Sequence, residues 1–111
     1  MTGLFEERER GYEAKWAHDE ETLFKIMVRR NELLGQWAAS EFGLAAAATN
    51  EYVQAVIKIG VAGKGEGPVF KKIQDDFAAR EISLSGRTLH DKMDEFFNAA
   101  SRESIKREQS F

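Results

Sequence analysis

Apolar residues recur along this chain at intervals of three and four, rather than at intervals of two. That spacing places them on one face of an α-helix and not on one face of a strand. Four such periodic segments follow one another with short connections between them. The pattern therefore predicts an all-α fold, a four-helix bundle with a mobile N-terminal arm.

The first predicted helix covers residues 19–42, and Gly43 is the expected C-terminal cap. Gly35 lies inside this helix, where it is expected to allow a close helix crossing. The apolar face comprises Leu23, Met27, Leu34, Trp37 and Ala38.

The second predicted helix begins after an N-cap at Thr49 or Asn50 and ends near Val61. The sequence GKGEG at residues 63–67 predicts a loop, and Pro68 suits the first position of a third helix. The two apolar faces consist of Val53, Val56, Ile57 and Gly60, and of Val69, Phe70, Ile73 and Phe77.

The fourth predicted helix has the clearest start, because Ser85 is a good N-cap and Leu84 can contact Leu89 as a hydrophobic staple. Lys106 and Arg107 in its last turn complement the helix dipole. Its apolar face comprises Leu89, Met93, Phe96 and Ala100.

The apolar face of the first helix continues upstream into a highly charged segment. Phe5, Tyr12, Trp16, Leu23, Met27 and Leu34 are separated by seven, four, seven, four and seven residues. Eleven residues in three turns is close to the period of a straight helix. A helix over residues 5–42 would be about 55 Å long, whereas the second and third helices would each be about 20 Å and the fourth about 30 Å. The bundle can therefore cover only part of this apolar stripe.

We accordingly divide the chain into an arm, residues 1–18, and a helical bundle, residues 19–111. The arm should be a weak helix by itself, since Gly11 costs about 1 kcal/mol relative to alanine. The aromatic residues of the arm are best explained as contacts for a partner on which the arm folds. The alternative is that they fold back onto the bundle.

Composition narrows the possible functions. A length of 111 residues indicates one domain, and the absence of cysteine excludes disulfides and thiolate sites. The net charge of −3 argues against nucleic-acid binding. Residues 1–22 contain seven acidic and three basic residues, for −4, and residues 23–111 contain twelve and thirteen, for +1. With no long apolar run and no signal-peptide pattern, we expect a soluble, cytoplasmic protein without direct membrane insertion.

Several short motifs suggest chemistry only weakly. GKGEG lacks the preceding strand and the Lys-Ser/Thr pair of a phosphate-binding loop, so we interpret it as a connection between helices. Weak anion binding at the N-terminus of the third helix is the alternative. We interpret residues 18–21 as an acidic first helical turn rather than a metal site. We interpret Asp94 and Glu95 as exposed carboxylates.

Arg29 and Arg30 are interpreted as a solvated face, or else as a binding surface or a contact between helices.

Three stretches resemble a known family: RERGYEAKWAHDEETLFK, RRNELLGQWAASEFG and KMDEFF. They are similar, in the same order, to the ATPase inhibitor zeta-subunit family of alpha-proteobacterial F-type ATP synthases. The resemblance covers nearly the whole chain. This chain departs from the family pattern at GVAGKGEGP, where the family has an acidic stretch. Its C-terminal segment, SRESIKREQSF, is also longer than is usual in the family.

The resemblance implies a non-enzymatic inhibitor of ATP hydrolysis whose N-terminal helix inserts at a catalytic α/β interface. The implied partner is the catalytic head of F-type ATP synthase, with its α, β and rotor subunits, at the cytoplasmic face of the inner membrane. The free protein is expected to be a monomer without nucleic-acid partners. The implied alternative is a regulatory helical module that binds adenine nucleotide, with no required cofactor and weak ATP or ADP binding. The expected partner-binding residues are Phe5, Arg8, Glu9, Arg10, Tyr12, Glu13, Lys15 and Trp16.

Overall fold

The computed structural model describes residues 20–63 and 65–109 of the chain. The described residues form four helices, α1 (Glu20–Glu41), α2 (Ala46–Ala62), α3 (Gly67–Ala79) and α4 (Gly86–Gln109). The predicted all-α fold with four helices is confirmed. The predicted arm, residues 1–18, lies outside the described residues.

All four helices contribute to one apolar core. Trp37 of α1 stacks on Phe77 of α3 with ring centroids 5.3 Å apart, which ties the two helices together at the centre. Phe42 packs against the same ring edge-on at 4.8 Å. The buried cluster comprises Leu34, Ala38, Val56, Val69, Ile73, Phe77, Leu89 and Met93.

Helix α1 ends as the sequence predicts. Gly43 has a φ of +71°, a conformation that glycine adopts without steric cost. The N–H of Gly43 donates to the carbonyl of Ser40, and the N–H of Leu44 donates to the carbonyl of Ala39. These two bonds form a Schellman motif, which satisfies two carbonyl groups that the helix end would otherwise leave unpaired.

Helix α2 begins earlier than predicted. Its first residue is Ala46 and its N-cap is Ala45, so an N-cap at Thr49 or Asn50 is wrong. The cap makes no side-chain hydrogen bond. Alanine is the best helix former, so the run of alanines extends the helix by a turn without a capping side chain. Thr49 instead donates its hydroxyl to the carbonyl of Leu44 at 3.3 Å.

Two glycines allow α1 and α2 to cross closely. A Cβ at Gly35 would lie 3.1 Å from the Cα of Val53, so a side chain there would press on the backbone of α2. A Cβ at Gly60 would overlap the Nδ2 of Asn31, whose side chain is buried against that glycine. The predicted role of Gly35 is thereby confirmed.

Helix α3 begins at Gly67, with Pro68 in its first turn as predicted. Val69, Ile73 and Phe77 are buried, whereas Phe70 is only half-buried and packs beside His90 at 4.5 Å. The helix ends in a second Schellman motif, formed by hydrogen bonds from Glu81 to Ala78 and from Ile82 to Phe77. Glu81 has a φ of +56° there.

Helix α4 begins with the predicted cap. The hydroxyl oxygen of Ser85 accepts the N–H of Thr88 at 3.0 Å, and Leu84 packs against the cluster that includes Leu89. Lys106 and Arg107 lie in the last turn. Among the described helices, none is long and apolar enough to cross a membrane.

Candidate functional site

The candidate site is the start of α1, where the apolar stripe leaves the core. Leu34 and Ala38 have no exposed surface, whereas Leu23 and Met27 on the same face are only half-buried. The fully buried residue in this first part of the helix is Ile26. The bundle therefore covers the end of the stripe incompletely, as the length argument predicts.

An apolar edge borders this uncovered end. Phe24 on α1 and Val61 on α2 are 53% and 54% exposed, and they are the large hydrophobic residues that stand out on the described surface. Both line one cleft of about 40 Å³, together with Met27 and Val28. We call Phe24, Met27, Val28 and Val61 the apolar edge.

Beneath the apolar edge lies a buried cation. Arg30 is 1% exposed, so the interpretation of this residue as part of a solvated face is wrong. Its Nε donates to the Oδ1 of Asn31 at 2.9 Å, and its Nη1 donates to Glu66 at 3.2 Å. Burial lowers the pKa of the Arg30 guanidinium, and the nearby carboxylate of Glu66 opposes that shift. The alternative interpretation, a contact between elements, is correct, because Glu66 is the N-cap of α3.

Arg29, next along the chain, links α1 to α4 near the surface. Its Nε and Nη2 donate to the two carboxylate oxygens of Glu103 at 2.8 and 3.1 Å, and its Nη1 pairs with Glu32. The hydrogen bonds from Arg29 lower the pKa of Glu103, and those same carboxylates raise the pKa of Arg29. The pair fixes the start of α1 against the end of α4.

A larger cleft of about 230 Å³ lies between the same two helix ends. Three cationic side chains line it, Lys25, Arg29 and Arg107, along with Glu103. Its volume is below the roughly 300–1,000 Å³ typical of small-molecule sites. Three cationic side chains against one carboxylate nonetheless give the cleft a net positive lining.

The glycine-rich connection is a loop, as predicted. Gly63 caps α2 and Gly65 has a φ of +74°, while Lys64 lies outside the described residues. The Glu66 carboxylate stands at the start of α3, where it disfavours an anion at that helix end. Asp94 and Glu95 are exposed, as expected.

The structure leaves the predicted partner-binding residues untested. Phe5, Arg8, Glu9, Arg10, Tyr12, Glu13, Lys15 and Trp16 all lie outside the described residues. The acidic first turn of α1 is confirmed at Glu20 and Glu21, and Glu21 pairs with Lys25 at 3.3 Å. Among the described residues, no group of three or more His, Asp or Glu side chains could hold a metal ion.

Sequence reasoning missed the apolar edge. Phe24 and Val28 fall outside the stripe, and Val61 marked only the end of a predicted helix. A signal was present, since Phe24, Met27 and Val28 are neighbours on a helix surface at spacings of three and four. The stripe alone could not show that α2 brings Val61 beside them.

Comparison with known proteins places most of this chain in one family. Comparison with curated proteins and with solved structures gives no match. A sequence model described as ATPase inhibitor subunit zeta matches residues 1–103, which include the arm and most of the four helices. The chain therefore belongs to the ATPase inhibitor subunit zeta family.

Proposed function

We propose that this protein blocks ATP hydrolysis by F-type ATP synthase by inserting its N-terminal segment, as a helix, at a catalytic α/β interface. The partner is the catalytic head, with its α, β and rotor subunits, and the encounter takes place at the cytoplasmic face of the inner membrane. The free inhibitor is a monomer in this proposal, and it performs no catalysis of its own.

The main support for the proposal is that the apolar pattern of α1 continues upstream in the sequence, beyond the part of the helix that the bundle covers. Leu34 and Ala38 are fully buried, while Leu23 and Met27 are half-buried. The sequence spacing continues upstream at Trp16, Tyr12 and Phe5, so a helix extended that far would carry them on the same face. A groove on the partner would give these aromatic side chains the apolar surroundings that the bundle lacks.

The family match supports the same assignment, because it begins at residue 1 and so includes the arm. Arg8, Arg10 and Lys15 alternate there with Glu9 and Glu13. In a helix whose aromatic face enters a groove, these charged residues are available for polar contacts at the rim, where they contribute to register and association rate.

The experiment is a pair of substitutions at Gly11 with opposite effects on helix formation. Gly11→Ala should favour the bound helix by about 1 kcal/mol, and Gly11→Pro should disfavour it by about 2 kcal/mol or more relative to glycine. Inhibition of ATP hydrolysis should therefore strengthen about fivefold with alanine and weaken at least thirtyfold with proline. Equal inhibition by both variants would contradict insertion as a helix.

Deletion of residues 1–17 provides the control for a structural role of the arm. The core cluster lies entirely between residues 34 and 93, so the thermal unfolding transition should be nearly unchanged while inhibition is lost. Unfolding of the truncated protein would mean that the arm stabilises the bundle, and the proposal would fail.

A second candidate function, weak binding of adenine nucleotide by the helical body, is favoured by the basic cleft between α1 and α4. Lys25, Arg29 and Arg107 line that cleft, although its volume is small for a nucleotide. Titration with ATP and ADP, followed by backbone NMR shifts, tests this function. Saturable shifts at these residues would support it, and unchanged spectra at millimolar nucleotide would exclude it.

A further inference from the structure

The apolar edge brings together exposed side chains from two different helices. Phe24 and Val61, the exposed large hydrophobic residues of the described chain, line the same cleft with Met27 and Val28. Single exposed apolar residues are ordinary on a protein surface, but a shared patch at the junction of two elements is typical of contact surfaces.

The position of the edge relates it to the arm. Phe24 lies one helical turn after Glu20, where the described part of α1 begins. Met27 follows Trp16 by eleven residues, which is three helical turns, so the two side chains point the same way in a continuous helix. Met27 would lie about 16 Å farther along that face, within reach of a partner surface that extends from Trp16 toward the body.

We infer that the apolar edge is a second contact surface for the ATPase catalytic head, continuous with the groove that takes the arm. This inference rests on the proposed function. The matching surface would be an apolar protein patch at the mouth of that groove, bordered by basic side chains that complement the exposed Glu20 and Glu21. The helical body thus contributes binding directly, in addition to carrying the arm.

The geometry disfavours the arm itself as the occupant of the edge when the arm is helical. A helix continued upstream from Glu20 rises about 1.5 Å per residue away from the body. Phe24 and Val61 lie on the other side of that starting point, next to Gly60 and Gly65 in the body. A partner at the groove mouth can contact both the arm and the edge.

The test uses the full chain with Phe24→Ser and Val61→Ser combined. Half-maximal inhibition of ATP hydrolysis should require about tenfold more of this variant than of the wild type, since both substitutions remove apolar area that the contact would bury. The matched control is Ala78→Ser with Ala79→Ser, two exposed positions at the end of α3, which should inhibit as the wild type does.

A third full-length variant, Tyr12→Ser, separates failure of this inference from failure of the proposed function. If Tyr12→Ser inhibits like the wild type, the insertion of the arm is wrong. If Tyr12→Ser loses inhibition while the double variant at the edge retains it, only the contact at the edge is wrong.

Two measurements on the free protein exclude the other occupants. Sedimentation that shows a wild-type dimer dissociated by the double variant would assign the edge to a second copy and overturn the inference. If the NMR shifts of residues 1–19 change in the free double variant, the apolar edge would be assigned to the arm. That result would also overturn the inference. Unchanged mass and unchanged arm shifts, together with weaker inhibition, are the expected result.

Discussion

At the scale of single residues, Glu81 shows how a helix end can depart from sequence preference. Its φ of +56° places a glutamate in the left-handed region, at the position of a Schellman motif that glycine usually occupies. The hydrogen bonds of the motif, from Glu81 to Ala78 and from Ile82 to Phe77, hold the residue in this conformation. Glu81 bears a local steric cost, because it is the one described residue other than glycine that has a positive φ.

Glu81→Gly should therefore raise the free energy of unfolding by about 0.5–1 kcal/mol, because relief of the left-handed strain exceeds the added backbone entropy of the unfolded glycine. Chemical denaturation measures the change. Glu81→Ala is the matched control, since it removes the carboxylate but keeps the Cβ. Stabilisation by alanine equal to that by glycine would show that charge, and not φ, is responsible.

The burial of Arg30 could not be predicted from the sequence. A charged residue in the middle of a helix most often faces solvent, and the apolar period gives no reason to place Arg30 inside. Its burial depends on Glu66, 36 residues away, and on Asn31, which fits against Gly60. Such a set of contacts arises only when α1, α2 and the start of α3 are brought together. Sequence periodicity does not encode that arrangement.

At the scale of elements, the helices with capping signals were predicted best. Gly43 and Ser85 fixed the end of α1 and the start of α4, because each supplies a specific backbone conformation or hydrogen bond. The N-cap of α2 was predicted four or five residues late, because Ala45 has no capping side chain and the alanines around it lack periodicity. Gly35 was predicted correctly as a close crossing, whereas the equivalent role of Gly60 against Asn31 was not.

The close crossing of α1 and α2 depends on the absence of a side chain at Gly60. Gly60→Ala should lower the free energy of unfolding by about 1–3 kcal/mol, because the new methyl group displaces the buried side chain of Asn31, which also accepts a hydrogen bond from Arg30. Thermal unfolding followed by circular dichroism measures the loss.

Gly67→Ala is the control for that substitution. A Cβ at Gly67 meets no atom within 4 Å, so its effect should stay within about 0.5 kcal/mol. A stability of Gly60→Ala equal to that of the wild type would mean that Asn31 can move at no cost, and that the crossing does not require glycine.

At the scale of the whole molecule, the apolar core and the ionic contacts have different roles. The core joins all four helices, while Arg29 with Glu103 and Arg30 with Glu66 fix the orientation of α1 relative to α4 and α3. The sequence predicted the core cluster almost completely. It could not predict these pairs, because each joins residues that are distant along the chain.

The lowered pKa of Glu103 makes part of the stability dependent on pH. A carboxylate whose pKa falls on folding contributes stability above its unfolded value of about 4.3, and loses that contribution as the pH falls through its folded value. Glu103→Gln should therefore be less stable than the wild type at pH 7 by up to about 1 kcal/mol, the scale of a surface ion pair. The difference should shrink as the pH falls through the lowered pKa of Glu103.

Denaturation of both proteins at pH 7 and pH 3 checks this dependence. Glu51→Gln, at an exposed position on α2, serves as the control and should show no comparable difference. A deficit of Glu103→Gln that is the same at both pH values would show that its cause is packing and not the charge of the carboxylate.

The half-covered start of α1 also bears on how the arm can become helical. Forming the first turn of an isolated helix is unfavourable by a factor of about 10⁻³, or roughly 4 kcal/mol, whereas adding residues to an existing helix avoids that step. The body presents α1 already formed from Glu20 onward, with its packed part held by Leu34 and Ala38. An arm that folds on its partner therefore only propagates a helix whose nucleus the bundle supplies, which a separate peptide of the same sequence would have to form by itself.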